Sequence, residues 1–242
     1  MAKCPPEKPE VGNSKRPEHV YAELHCISNF TFLRGASFPE ELVQRADSLG
    51  YEALAITDEC SLSGVVRAHR EAKKRDIKLI IGSEFVLQKS AEGIKDDCKL
   101  ILLACNRQGY GRLSHLITCA RREAKKGEYR IDRAMLEDNL PLDCLALWLP
   151  DLSQPAEDIA SQAVWLRRLF TKKVWIAVEL LLRGNDRLKL QRLQALGEQF
   201  TMPLCATGGV YMHRPRRRIL QDTLTAIRLG KRISELGFDA ES

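Results

Sequence analysis

The chain has 242 residues, 44% of them hydrophobic and 29% charged, with a net charge of +6. That composition suits one large domain or two small ones with a sizeable core, and it excludes global disorder. No apolar run approaches the ~20 residues that span a bilayer, and no basic segment followed by an apolar core opens the chain, so the sequence predicts a cytoplasmic protein without a signal peptide or a membrane partner.

Residues 1–19 contain four prolines (Pro5, Pro6, Pro9 and Pro17) and few apolar residues. They read as a tail. From Tyr21 onward a short apolar run is followed repeatedly by a polar loop and a segment of helical spacing. The runs are Ala22–Leu24, Ala53–Thr57, Ile77–Ile81, Leu100–Cys105, Cys144–Leu149, Val174–Val178 and Pro203–Ala206. Most are apolar throughout, as strands buried on both faces are.

Between these runs, Ser37 and Glu40 have capping-box spacing, and Leu42, Ala46 and Leu49 form an apolar stripe that Gly50 is placed to end. Leu113, Leu116, Ile117 and Ala120 mark a helix within Gly109 to Lys126. Pro155 suits a first helical turn before Ile159, Ala163, Leu166 and Phe170. Helices over Leu188 to Phe200 and Ile219 to Leu229 complete the set. Strand–helix alternation predicts a parallel sheet with right-handed crossovers. About seven units in ~220 residues fit a closed β/α barrel better than an open sheet. Neither a G-x-G-x-x-G after the first strand nor a Walker A motif occurs.

The eight cysteines are all at least seven residues apart. No C-x-x-C pair exists, which argues against a zinc ribbon or a thioredoxin-type redox site. Reduced, mostly buried thiols are the expectation for a cytosolic chain. The mild basicity permits a polyanionic partner without demanding one.

A β/α barrel places its chemistry at the C-terminal ends of its strands. The residues that follow each predicted strand include His25, Asn29 and Arg34, then Asp58 and Glu59, then Glu84, His115, Glu179, and finally Gly209, Tyr211 and His213. Histidines and carboxylates recur there, and such groups bind Zn²⁺ or Mn²⁺ when they converge.

At these residues the chain resembles a known family. The segments YAELHCISNFTFLRGAS, EALAITDECSLSGVVRAHREAKK, KLIIGSEF, GYGRLSHLITCARR, WIAVEL and ATGGVYMHRPRRRILQDTLTAIRLG are similar to the PHP (polymerase and histidinol phosphatase) domain. More narrowly, they resemble the N-terminal PHP domain of bacterial C-family DNA polymerases in the error-prone (ImuC-type) branch. The resemblance implies a distorted seven-stranded, TIM-like β/α barrel over residues 20–237. Residues 238–242 would lead on to a polymerase core.

In active PHP enzymes a trinuclear metal centre hydrolyses phosphoesters. Carried over position by position, the resemblance keeps His25 but puts Ile27 at the second histidine of H-x-H. The acidic ligand expected next falls on Arg34. In T-D-H, Asp58 is kept and Glu59 stands for the histidine. The isolated glutamate is kept as Glu84 and the isolated histidine as His115, while Gly209 and Tyr211 replace the final D-x-H. Ile27 and Gly209 offer no side-chain ligand, Tyr211 is a poor one near neutral pH, and Arg34 brings a permanent positive charge. The expectation is a degenerate site in which Arg34 pairs with Asp58, Glu59 or Glu84. The weighed alternative is one Zn or Mn ion on His25, Glu84 and His115.

Other candidates have simpler readings. Glu179 is a ligand or the partner of a neighbouring arginine. His115 and Cys119 share a helix face as a metal pair or a buried edge. Acids beside Cys60 raise a thiol's pKa, against a nucleophilic role. His69 lies among cations on a solvated helix face. Arg121–Lys126 ends a helix, where cations are favoured. His213, Arg214, Arg216, Arg217 and Arg218 gather at a helix start, where cations are disfavoured, which points to DNA phosphate or an adjoining domain. With few aromatics interleaved, a base-stacking platform is not expected.

The functional expectation is an interaction module that supports a polymerase core active in translesion synthesis and the DNA damage response. The resemblance implies DNA, a sliding clamp and an accessory Y-family-like protein as partners. It places Mg²⁺ only in the palm, which is absent here. The alternative, from a different class, is a metal-dependent phosphoesterase or 3′–5′ proofreading exonuclease.

Overall fold

The computed structural model describes residues 21–88, 98–182 and 184–237. The sequence-based tail over 1–19 and the end segment 238–242 lie outside the described residues.

The strands are β1 (Ala22–Glu23), β2 (Ala53–Ile56), β3 (Lys78–Leu87), β4 (Cys98–Ala104), β5 (Cys144–Leu149), β6 (Val174–Val178) and β7 (Leu204–Ala206). The helices are α1 (Pro39–Ser48), α2 (Val65–Arg75), α3 (Arg107–Arg122), α4 (Arg133–Asp138), α5 (Ala156–Phe170), α6 (Asp186–Phe200) and α7 (Arg218–Leu229). The strands pair in chain order in one seven-stranded sheet. Beyond the last ladder the sheet curls back on itself. A bridge joins Cys26 to Val210, held by Ile27 N–H to Val210 O at 2.8 Å and Val210 N–H to His25 O at 2.9 Å. The result is a distorted β/α barrel.

The all-parallel expectation fails at one strand. β4 runs antiparallel to both β3 and β5, with Gly82 opposite Leu103 and Leu100 opposite Trp148. β3 extends to Leu87 rather than stopping near Ile81, and the chain returns directly beside it. Antiparallel neighbours, unlike parallel ones, can be joined without a crossover helix.

Side chains alternate across the sheet as the pleat requires. Ala55, Ile101, Leu103, Leu147 and Ala177 fill the barrel interior. Their neighbours Leu100, Leu102, Ala146, Trp148 and Ile176 point the other way and pack under Leu113 and Leu116 of α3 and Ile159, Ala163 and Leu166 of α5. Leu42, Val43 and Ala46 of α1 meet Ala68 and Ala72 of α2 over Leu54 and Ile56.

Local signals act with one change. Phe38, not Ser37, caps α1, its N–H donating to Glu41 Oε2 at 2.9 Å. Ser37 is diverted to His213, where its Oγ lies 2.7 Å from Nδ1 and accepts the His213 N–H at 2.9 Å. Gly50 ends α1 at φ +75° as expected. Of the seven cysteines described, Cys26, Cys60, Cys98 and Cys144 are buried. No helix among the described residues is long and apolar enough to cross a membrane.

Candidate functional site

The C-terminal ends of the strands converge on a cluster of charges. Glu84 lies on β3 with its side chain fully buried, as is that of His25 just past β1. His25 Nε2 is 2.8 Å from Glu84 Oε2, and Nδ1 is 2.5 Å from Glu179 Oε1. Arg34, from the loop after β1, donates through Nη1 to Glu84 Oε1 at 2.6 Å and to Glu59 Oε2 at 2.5 Å. Its Nη2 reaches the Tyr211 hydroxyl at 3.3 Å, and its guanidinium lies 5.7 Å from the Tyr211 ring centre. Lys99 on β4 completes the set with Nζ at 2.8 Å from Glu84 Oε2.

The sheet explains why these groups meet. Glu84 pairs with Ile101 across the β3–β4 ladder. Lys99 is two residues from Ile101, so both charges point into the barrel on the same face. Glu179 follows β6 in the parity of Ala177, which also faces inward.

Burial alone would drive the His25 proton off, but hydrogen bonds to Glu179 and Glu84 outweigh it and raise the His25 pKa. Burial alone would raise the pKa of Glu84, yet Lys99 and Arg34 hold it well below the ordinary carboxylate range. Glu179 is likewise held down against burial by its hydrogen bond to His25. Glu84 and its neighbours raise both Arg34 and Lys99 against their desolvation. Three carboxylates therefore face three cationic groups, and the mouth is charge-balanced by the protein's own side chains.

Asp58 stands apart from this network. It accepts from Ser28 N–H at 2.8 Å, Ser28 Oγ at 2.7 Å and Thr31 Oγ1 at 2.9 Å, while burial raises its pKa. Of the three partners open to Arg34, the structure selects Glu59 and Glu84. Glu179 pairs with His25 rather than with an arginine. Its carboxylate would lie about 2.9 Å from a Cβ at Gly209, whose φ is +57°. That position has no room for a ligand side chain. Ile27 is buried at the seam where the barrel closes.

His115 is not brought to this cluster. It lies on the outer side of α3, its Nε2 3.5 Å from Cys119 Sγ, in a recess shared with Asp138 and Asn139. The metal set His25, Glu84 and His115 is thus corrected, because the helix face that carries His115 points away from the barrel mouth. Cys60 is a buried thiol pushed up to about 12 by desolvation, against a nucleophilic role. His69 is exposed on α2. Arg121 is spent on the carbonyls of Glu59, Cys60, Gly127 and Glu128.

The arginine group divides. Arg217 pairs with Glu41 at 2.5 Å and Arg218 with Asp222 at 2.9 Å. His213 turns inward against Ser37 and α1. Arg214 and Arg216 remain exposed.

Sequence reasoning missed Lys99 and Tyr129, whose hydroxyl donates to Glu59 Oε1 at 2.8 Å. Lys99 had a signal, since it is a lone charge in an apolar strand. Tyr129 had none, because it lies in a loop far along the chain.

The chain matches the PHP domain pattern over residues 23–172. It belongs to the PHP domain family. The error-prone DNA polymerases of Methylococcus capsulatus and Dechloromonas aromatica are 56% and 52% identical to this PHP domain over 222 residues. Those alignments cover 91% and 90% of the chain but 20% of each polymerase. The chain thus spans about a fifth of the length of the curated relatives it matches. A Bifidobacterium adolescentis protein provisionally assigned as a metal-dependent phosphoesterase superposes with a TM-score of 0.53 at 14% identity, covering 83% of this chain and 91% of that one. An amidohydrolase from Chromobacterium violaceum, with bound sulfate and no metal, gives 0.53 at 12% identity over 79% and 87%. At such identities the likeness is one of fold.

The donor set of this PHP domain does not fit the trinuclear centre that the family pattern implies. Among the described residues no group of three or more His, Cys, Asp and Glu side chains is arranged to hold a metal ion. The acceptors that face inward are already shared by Arg34, Lys99 and His25.

The pH dependence of folding follows from these shifts. His25, raised in the fold, contributes stability that is complete below about pH 6.5, its unfolded value, and is lost as pH rises through its folded value. Glu84 and Glu179, depressed in the fold, contribute above about pH 4.3, and that part is lost as pH falls through their folded values. Urea midpoints measured across pH should decline on both sides of a plateau. In His25→Gln the part of the decline that begins above pH 6.5 should flatten; an unchanged profile would remove His25 from the account.

Proposed function

We propose that the chain is the PHP domain of an error-prone DNA polymerase, and that its barrel mouth is a structural ion-pair cluster supporting the polymerase core. The observation that carries this reading is the pair of cations, Arg34 at 2.6 Å and Lys99 at 2.8 Å, on the buried carboxylate of Glu84. They occupy the place where a hydrolytic centre would need metal. The cluster fixes the loops after β1, β2 and β6 to the barrel without a cofactor. The relatives' name supports a parent polymerase acting on DNA. The finer reading adds translesion synthesis in a cytoplasmic damage response, with a sliding clamp and an accessory Y-family-like protein. Mg²⁺ would be needed only in the palm, outside this chain.

Metal analysis of protein purified without chelator, with nuclease assays in Mn²⁺ and Zn²⁺, tests the proposal. Less than a tenth of an equivalent of metal and no turnover are expected. Two or more equivalents with phosphoester hydrolysis would establish the phosphoesterase or exonuclease reading instead.

A reversion experiment sharpens the test. Ile27→His, Glu59→His and Tyr211→His together, with Gly209 kept because a Cβ there would meet Glu179, are expected to leave Zn²⁺ affinity unmeasurable in calorimetry while Arg34 and Lys99 remain. Adding Arg34→Asp and Lys99→Ala should bring binding into range. Tight binding by the threefold variant alone would show that the two cations do not exclude metal.

A further inference from the structure

Helix α3 carries a second set of metal-binding residue types, on the side away from the barrel mouth. His115 and Cys119 stand at i and i+4, so their side chains share one face of the helix. His115 is exposed and Cys119 half-buried. His115 Nε2 lies 3.5 Å from Cys119 Sγ. Asn139, the C-cap of α4, brings its Oδ1 to 3.7 Å from the same sulfur. The amide is held in that orientation, because Asn139 Nδ2 donates to the carbonyl of Met135 at 3.0 Å. An imidazole nitrogen and an amide oxygen from two helices thus flank one thiol. Metals of this class sit ~2.0 Å from imidazole nitrogen and ~2.3 Å from thiolate sulfur, which puts two ligands of one ion about 3.5–3.7 Å apart. Both separations match.

The recess beside these donors admits an ion. Gly111, one turn before His115, lines it, and a Cβ there would meet nothing within 4 Å. Asp138 and Arg112 line it too, with opposite charges. One thiolate therefore neutralises a monovalent ion and leaves a divalent one charged. Two strong donors and one amide oxygen fall short of the four ligands that structural zinc takes. Thiolate is also a soft ligand of the kind that selects Cu⁺.

We infer that His115, Cys119 and Asn139 form a surface site for one Cu⁺ ion, which clips α3 to the end of α4. On binding, the Cys119 thiol gives its proton to solvent and the thiolate takes the ion; the copper is neither oxidised nor reduced. The site shares no residue with the ion-pair cluster and does not rest on the proposed function. Metal availability governs occupancy at such a site, so protein prepared without added copper is expected to be metal-free.

The test titrates Cu⁺ anaerobically, against a chromophoric Cu⁺ chelator, into a parent chain carrying Cys4→Ser, Cys105→Ser and Cys205→Ser. Cys105 and Cys205 are the other described thiols that are not buried, and Cys4 lies outside the described residues. One equivalent is expected to bind. Affinity should fall a hundred-fold or more in Cys119→Ser and ten-fold or more in His115→Ala, both at positions that are not buried, so both should fold. Cu⁺ should raise the melting temperature of the parent and not of Cys119→Ser, since a ligand of the folded state alone stabilises it. Failure of the parent to bind would overturn the site. Equal affinity in Cys119→Ser would place the copper elsewhere, and unchanged affinity in His115→Ala would reduce the site to a thiol adduct; either result overturns the proposal. Zn²⁺ bound as tightly as Cu⁺ in a parallel titration would overturn the choice of metal.

Discussion

Glu84→Ala is expected to lower the unfolding free energy by about 3–5 kcal/mol, because it strips the common partner from buried cations. Glu84 is fully buried and accepts from Arg34, Lys99 and His25. Without it Lys99 loses its ion-pair partner, Arg34 keeps Glu59 as its one carboxylate among the described residues, and His25 keeps Glu179 as its one carboxylate. Urea denaturation at neutral pH reads the loss directly. Glu59→Gln should cost about 1 kcal/mol or less, since that carboxylate is 23% exposed and water screens its pair with Arg34. The informative comparison is a triple variant. Arg34→Met, Glu84→Leu and Lys99→Met together should lose less than Glu84→Ala alone, because removing every charge leaves none buried and unpaired. A triple variant less stable than Glu84→Ala would show that the network adds stability beyond the balancing of its own charges.

The second large effect belongs to the core. Trp148 on β5 is fully buried among the residues between sheet and helices. Trp148→Ala should cost about 3–5 kcal/mol through lost transfer energy and a residual cavity. The indole Nε1 meets no acceptor among the described residues. An unsatisfied buried donor costs about 1–3 kcal/mol, so Trp148→Phe removes that penalty while giving up part of the volume. Its stability should fall within about 1.5 kcal/mol of the parent, as for volume-conserving core changes. A loss in Trp148→Phe approaching that of Trp148→Ala would mean that shape outweighs the unpaired N–H. Thermal or urea melts of the two variants suffice.

Much of the architecture was legible because burial on both faces leaves a plain mark. Strands such as Cys144–Leu149 and Val174–Val178 stand exactly where the apolar runs predict them. Helices α5 and α6 begin within two residues of their sequence-based starts. The reversal of β4 was not legible. Apolar runs say that a strand is buried, but direction is set by the connection, and the sequence between Leu87 and Cys98 carries no periodic signal to fix it. The cap of α1 was misplaced for a related reason. Ser37 has the chemistry of a cap, and only the fold reveals that His213 claims its hydroxyl.

The site divides in the same way. Side-chain chemistry at single positions set the expectation of a degenerate metal site: Ile27 and Gly209 cannot ligate through a side chain, and Arg34 is cationic at any physiological pH. These are properties of residue types, so the sequence alone sufficed. Which charges meet is a property of distance. The tertiary structure decided that Arg34 joins Glu59 and Glu84 rather than Asp58, that Lys99 enters from a neighbouring strand, and that His115 faces outward. Each of those outcomes depends on register, strand direction or helix rotation, and these are fixed only when the whole barrel closes.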